Sequence, residues 1–491
     1  MRRGSSVPRF LGRSVPPAHR GTEEPRNRGT WIVAIALLLT LPLRCREATG
    51  AAQDPLEREA EDAFVAFLRI DTSNPPGNET AGAAFLRDLF VKNGIEAQLV
   101  GDDPKRQGVY ARLVSGSKEP ALLLLSHIDV VPADASVWTR PPFSGARSGG
   151  YIWGRGALDT KSLTIAELVS LVELKRRGAK LRRDVVFLAV PDEELGGANG
   201  TAKLLAQRPE LFEGVGFVLN EGGSNETAVD KVMFWGIEVQ QKVPLWLRVT
   251  CDGTGGHGAI PPDDGGATAK LVHVLDAIRA LETPYRLEPS VARAAAAAAE
   301  LRKDARGARL RLVREPLDVE RIQRELPAGY RALLRDTIAI THVSAGSAVN
   351  VIPSKAVGDV DIRLLPDTRT DAMLARVREV VGKNGAVEVL AAGEPVPESS
   401  AQTELYETLE RAMHAHAPGS VVAPMVGPGT TDSRYFRARG ITAYGIMPFK
   451  VNYYDADSVH GVDERIRTRF FAEGTRLTRE IVRRFCEAKP N

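Results

Sequence analysis

Ala121-Leu-Leu-Leu-Leu-Ser-His-Ile-Asp129 decides how the chain folds. Its first five residues form a short, unbroken apolar run, as a strand buried on both faces requires. The run then ends in a hydroxyl, an imidazole and a carboxylate. Two more runs share this shape: Asp184–Val190 leads into Pro191-Asp-Glu-Glu194, and Val215–Leu219 leads into Asn220-Glu-Gly-Gly223. Amphipathic stretches of helix length, at 161–177 and 198–206, lie between them. This βαβα rhythm predicts a mostly parallel α/β sheet. Ligands of such sheets bind outside the carboxyl ends of the strands, which is where the polar clusters fall.

Moving outward, the pattern changes near Pro244. Leu245–Thr250 and Val357–Leu364 alternate apolar and polar residues, like strands with one solvated face. Helical stretches at 265–281 and 370–382, with strands near 337–343 and 386–391, complete a β-α-β-β-α-β order, the ferredoxin-like arrangement of a small α+β unit. Within it, 284–335 is charged, Ala-rich and reads as a helical insertion, Ala292–Arg309 especially. Beyond Pro397 the α/β pattern resumes, with helices at 402–415 and 464–486. The expected organisation is a leader at 1–52, a catalytic domain built from 53–242 and 398–491, and an inserted domain at 243–397.

The chain has 491 residues, 43% of them hydrophobic and 26% charged, enough for two or three domains with sizeable cores. Its formal charge is +3, but residues 1–50 hold nine arginines against three glutamates. Residues 51–491 therefore carry 56 basic against 59 acidic side chains, which argues against a nucleic-acid surface on the globular part. Three cysteines exclude a disulfide-dense scaffold. Trp31–Leu43 is a 13-residue apolar run after Arg26 and Arg28, followed by the small residues Ala48–Ala52. That pattern predicts export to the periplasm or beyond by a cleaved signal peptide. The alternative is an uncleaved leader acting as a membrane anchor, although a spanning helix needs about 20 apolar residues. Past the leader, Cys251 and Cys486 are compatible with one bridge or with two free thiols.

Taken singly, the strand-end acids are unremarkable, since an Asp before a helix is commonly an N-cap. Together, His127, Asp129, Asp159, Glu193, Glu194 and Glu221 crowd negative charge at one sheet end, and cations are needed to neutralise it. Mixed imidazole and carboxylate ligands suit Zn²⁺. A two-metal centre follows, one carboxylate bridging ions about 3.5–4 Å apart.

These segments also carry a family resemblance. Ser126-His-Ile-Asp-Val-Val-Pro132, Gly154-Arg-Gly-Ala-Leu-Asp-Thr-Lys161, Asp192-Glu-Glu-Leu-Gly-Gly197 and Asn220-Glu-Gly-Gly223 resemble the successive metal motifs of the di-zinc amidohydrolases. That family includes the aminoacylases, acetylornithine deacetylase, succinyl-diaminopimelate desuccinylase and glutamate carboxypeptidase. Gly253-Thr-Gly-Gly-His-Gly-Ala-Ile-Pro261, Asn350-Val-Ile-Pro353, Gly429-Thr-Thr-Asp-Ser-Arg434 and His460-Gly-Val-Asp-Glu464 resemble its later motifs, in the expected order. The inserted domain resembles the family's lid, through which the chain would dimerise. The 284–335 insertion is similar to the longer lid of the carboxypeptidase-S and N-fatty-acyl-amino-acid hydrolase branch.

The resemblance implies two zinc ions per chain, with Co²⁺ or Mn²⁺ as possible substitutes. His127 and Glu221 would hold one, Glu194 and His460 the other, and Asp159 would bridge. Asp129 would orient the His127 ring, and Glu193 would be the general base. His257 on the lid would stabilise the oxyanion, reaching the other subunit's site. Asn350, Arg363, Thr431 and Arg434 would contact the substrate. The implied reaction is hydrolysis of an amide beside a free carboxylate, in an N-acyl-amino acid or at a peptide C-terminus. The competing reading is a catalytically silent zinc-binding relative used as a scaffold; Glu193, which such a relative could lose, is present.

Overall fold

The computed structural model describes residues 54–228 and 230–488. The leader at 1–52 lies outside them. The large sheet runs Ala97–Val100, Gly108–Leu113, Val185–Val190, Ala121–His127, Val215–Asn220, Thr442–Gly445, Lys231–Gln241 and Val421–Gly427, with Ser224–Ala228 pairing beside Lys231–Gln241. Its middle four strands are parallel to one another, and antiparallel pairs flank them. Every residue of Ala121–His127 and Val185–Val190 is buried. The pleat sends alternate residues to opposite faces. Leu122, Leu124 and Phe187 meet helices Pro55–Leu68, Glu79–Lys92, Lys161–Arg176 and Thr468–Cys486 on one face. Leu123, Leu125 and Leu188 meet Leu204, Leu205 and Phe436 on the other. Phe471 anchors the C-terminal helix, stacked between Phe64 at 4.5 Å and Phe449 at 5.9 Å.

The second sheet is antiparallel, in the order Thr337–Ala345, Lys355–Leu364, Val243–Asp252, Ala386–Ala392. Strand Lys355–Leu364 alternates buried and half-buried residues through most of its length. Helices Gly266–Arg279 and Thr370–Val381 cover one face through Leu271, Val274, Met373 and Val377. This is the ferredoxin-like order predicted from the alternation.

The 284–335 insertion is helical, as its composition implies. Its Ala-rich stretch forms two helices: Pro289–Glu300 stops, and Ala305–Leu310 begins after Asp304 caps it by accepting from the Arg306 and Gly307 amides. The chain doubles back so tightly that a Cβ at Gly307 would lie 2.1 Å from the Arg302 carbonyl oxygen. The insertion also packs on the large sheet: Val291 and Ala295 meet Val426, while Ala298 and Ala299 meet Phe234 and Ala423. An apolar helical stripe must be covered, and the outermost strand of the large sheet supplies the cover. Cys251 and Cys486 are both buried and free, each within a different core. No helix among the described residues is long and apolar enough to cross a membrane.

Candidate metal centre and active site

Three parallel strands end at one place. Strand Ala121–His127 delivers His127, Val185–Val190 feeds the turn bearing Glu193 and Glu194, and Val215–Asn220 is followed by Glu221. Asp159 arrives just ahead of helix Lys161–Arg176, and His460 on the loop before strand Arg465–Arg467. The Asp159 carboxylate lies between the imidazoles: Oδ1 is 3.0 Å from His127 Nε2, and Oδ2 is 3.2 Å from His460 Nε2. Glu221 Oε1 is 3.6 Å from His127 Nε2, and Glu194 Oε2 is 3.1 Å from His460 Nε2. Glu193 Oε2 stands 4.0 Å from His127 Nε2. His127, Glu193 and Glu221 form one set of converging donor atoms, and His127, Asp159 and Glu194 another.

Burial opposes a charge on His127, yet Glu221, Asp129 and Asp159 override it and hold the imidazole well above its usual range. Hydrogen bonds to Asp159 and Glu194 push His460 up to about 10. Burial, reinforced by Glu221, raises Glu193 well above the carboxylate range, and burial lifts Glu221 to about 7. Carboxyls that resist ionising because they are buried beside one another are what a cation would relieve. Glu194 Oε1 is buried with no hydrogen-bond partner, a lone-pair donor left over for such an ion. The donor chemistry therefore fits a metal.

Supporting groups fix these side chains. His127 Nδ1 lies 2.8 Å from the Asp129 main-chain oxygen and 3.6 Å from its carboxylate. With the Nδ1 proton held at this main-chain oxygen, Nε2 is the nitrogen whose lone pair a cation would take in place of its proton. The Asp129 carboxylate accepts from the amides of Glu193 and Glu194, both at 3.2 Å, and from Asn74 Nδ2 at 3.0 Å. Asp129 thus holds the paired glutamates through its side chain and approaches the imidazole most closely through its backbone. Gly197 has φ +67°, and a Cβ there would lie 2.1 Å from Asp432 Oδ1, so only glycine lets the Glu193–Glu194 turn meet the 429–434 loop.

Sequence reasoning missed two further supports. Glu464 is fully buried; its Oε1 accepts from the Leu158 and Asp159 amides at 2.7 and 3.1 Å, and its Oε2 from the Gly156 amide and Arg155. It clamps the Asp159 segment to the His460 loop, and its place at the end of the last motif was the only signal. Arg106 bridges Glu79 and Asp192, bracing the residue before Glu193. Nothing in the local sequence marks that role.

The centre opens into a cavity of about 540 Å³ lined by Asp159, Glu193, Glu194, Glu221 and His460. Arg363, Thr431 and Arg434 line it too, beside Trp246, Leu195, Leu390 and Tyr435. Arg363 reaches in from the smaller sheet, pairs with Asp361, donates to Thr430 Oγ1 at 3.0 Å and lies over the Trp246 ring. Arg434 donates to the Gly196 carbonyl. His257 and Asn350 do not line this cavity. His257 sits on a two-strand ribbon where Gly256–His257 pairs with Val351–Ile352, Asn350 lies in the turn just before it, and both are exposed.

A fold of this kind, with imidazoles and carboxylates converging at the strand ends, defines a metallohydrolase. The chain belongs to the peptidase family M20/M25/M40, whose model matches residues 123–484. It is 33% identical over 486 residues to the N-fatty-acyl-amino acid synthase/hydrolase PM20D1 of Xenopus tropicalis, covering 89% of each chain. Aminoacylase-1 of Sus scrofa is 27% identical over 445 residues, covering 87% of this chain and 95% of its own. Among solved structures, the M20 family metallo-carboxypeptidase Sso-CP2 from Sulfolobus solfataricus shares the fold at a TM-score of 0.68 and 20% identity, over 86% of this chain and 98% of that one.

Proposed function

We propose that the chain is a two-zinc hydrolase that cleaves the amide of an N-acyl-amino acid or a C-terminal peptide bond, releasing a free amino acid. The observation that carries this is the Asp159 carboxylate divided between His127 and His460, with Glu221 and Glu194 on either side. His127 and Glu221 would hold one ion, Glu194 and His460 the other, with Asp159 shared; imidazole and carboxylate donors favour zinc, with cobalt or manganese as substitutes. When bound, the ions would supply Lewis acidity to the amide carbonyl and acidify water. Glu193, on the cavity wall, takes the proton of the attacking water and returns it to the leaving amine nitrogen. Arg363 and Arg434 give the cavity the positive charge that a substrate carboxylate requires.

His257 and Asn350 lie outside this chain's own cavity, which supports a role for them in the site of a second copy docked through the lid. The leader pattern supports export. A hydrolysis screen of N-acetyl, N-long-acyl and dipeptide substrates on the zinc-loaded protein tests the reading. One class should dominate by a large factor, and failure to release an amino acid from any of them would refute it.

A further inference from the structure

A second, apolar cavity of about 80 Å³ lies between the helical insertion and the edge of the large sheet. Phe234, Met425 and Val426 line it from the sheet, and Val291, Ala295 and Ala298 from helix Pro289–Glu300. Its one acid, Glu226, is already engaged, accepting from Tyr330 Oη at 2.7 Å and pairing with Arg302. The rest of the wall has little to offer a polar ligand.

This cavity is next to the catalytic one. Gly223 and Gly427 line the catalytic cavity, and their chain neighbours Ser224 and Val426 line the apolar one. Along strand Lys231–Gln241 the alternate residues Phe234, Gly236 and Glu238 share a face. Glu238 lines the catalytic cavity and Phe234 the apolar one, about 13 Å apart by strand rise. Between them Gly236 offers bare backbone, and the Met425 thioether fills the space above it: a Cβ at Gly236 would lie 2.4 Å from Sδ. Ser224 Oγ also meets Sδ, at 3.2 Å. Methionine has three rotatable bonds and adapts to what it packs against, so this divider can move without disturbing the strands.

We propose that the space over Gly236, which the Met425 side chain fills, and the cavity beyond it bind the hydrocarbon chain of a long N-acyl group once Met425 swings aside as a movable divider. This rests on reading the catalytic cavity as the site of N-acyl-amino acid hydrolysis. The carboxyl-derived end of the acyl group lies at the metal centre, its chain passes Met425, and its far end lodges against Phe234 and Ala298. An acetyl group stays in the catalytic cavity and never reaches the divider.

The test is kcat/KM for one amino acid carrying acetyl, butanoyl, octanoyl, dodecanoyl and hexadecanoyl groups, on the zinc-loaded full chain. Once the chain is long enough to pass Met425, each added methylene that is buried should raise kcat/KM about fourfold. Ala294→Phe, at a half-buried position on the cavity wall, should cut dodecanoyl turnover at least about tenfold and leave acetyl turnover unchanged. Met425→Ala should move the long-chain rates the other way. A wild-type profile flat with length, or the same profile in both variants, would overturn the proposal. Calorimetric titration with dodecanoate separates it from the reaction assignment. The wild type should bind and Ala294→Phe should not, even if no N-acyl substrate is hydrolysed; equal binding by both would overturn the acyl site.

Discussion

Glu193 and Glu194 are adjacent in sequence but differ in surroundings. Glu194 meets His460 at 3.1 Å, while Glu193 faces His127 at 4.0 Å, and both amides are held by Asp129. Glu193→Ala should therefore keep its metal, measured as zinc per chain, while kcat falls about a thousandfold or more. Near wild-type turnover would remove Glu193 from the proton-transfer role. Arg363→Ala should lower kcat/KM for carboxylate-bearing substrates about 10- to 100-fold, the range for losing a hydrogen bond to a charged group, and leave the neutral carboxamide analogue unaffected. Equal losses on both would mean that Arg363 only braces the lid. At this scale the sequence was informative because His127, Asp159, Glu194 and Glu221 each fall at or just past a strand end or just ahead of a helix, whereas His460, on a loop, was marked by its motif alone. It was silent about Arg106, whose partners Glu79 and Asp192 lie 27 and 86 residues away.

At the scale of elements, the Asp159 segment and the His460 loop are two pieces of chain joined by Glu464. Removing its charge while keeping its shape, Glu464→Gln, should weaken metal affinity about 10- to 100-fold, as loss of a group supporting metal ligands does. A competitive chelator titration reads this directly, and an unchanged affinity would show the clamp to be dispensable. The C-terminal helix gives an independent check: Phe471→Ala empties a position packed on both ring faces and should cost about 3–5 kcal/mol of stability in denaturant unfolding. Strands and helices with a clear period were legible, since 2.0 and 3.6 residue repeats follow from burying one face or two. The break at 301–304 was not, because Leu301, Arg302 and Lys303 are themselves good helix formers; Asp304 caps the start of the next helix, and Gly307 there packs against Arg302. Nor could the sequence tell which surface the insertion would cover.

For the whole molecule, one sheet end gathers the charge and a smaller sheet adds Arg363 above it, while His257 and Asn350 point to a surface of their own. If a second copy completes the site, equimolar Glu193→Ala and His257→Ala proteins, each inactive, should recover about a quarter of wild-type activity once their subunits exchange. No recovery despite exchange would confine His257 to its own chain. Fold class was legible from the order of buried and half-buried strands, whereas a site shared between chains leaves no periodic trace in either. The claim on which everything else depends is that the clustered acids exist to hold metal. Its most direct test is titration of zinc into the chelated protein, following bound zinc and amide hydrolysis together. Hydrolysis should be absent without metal and fully restored as zinc occupancy reaches about two per chain. Hydrolysis that persists after thorough chelation would contradict that claim.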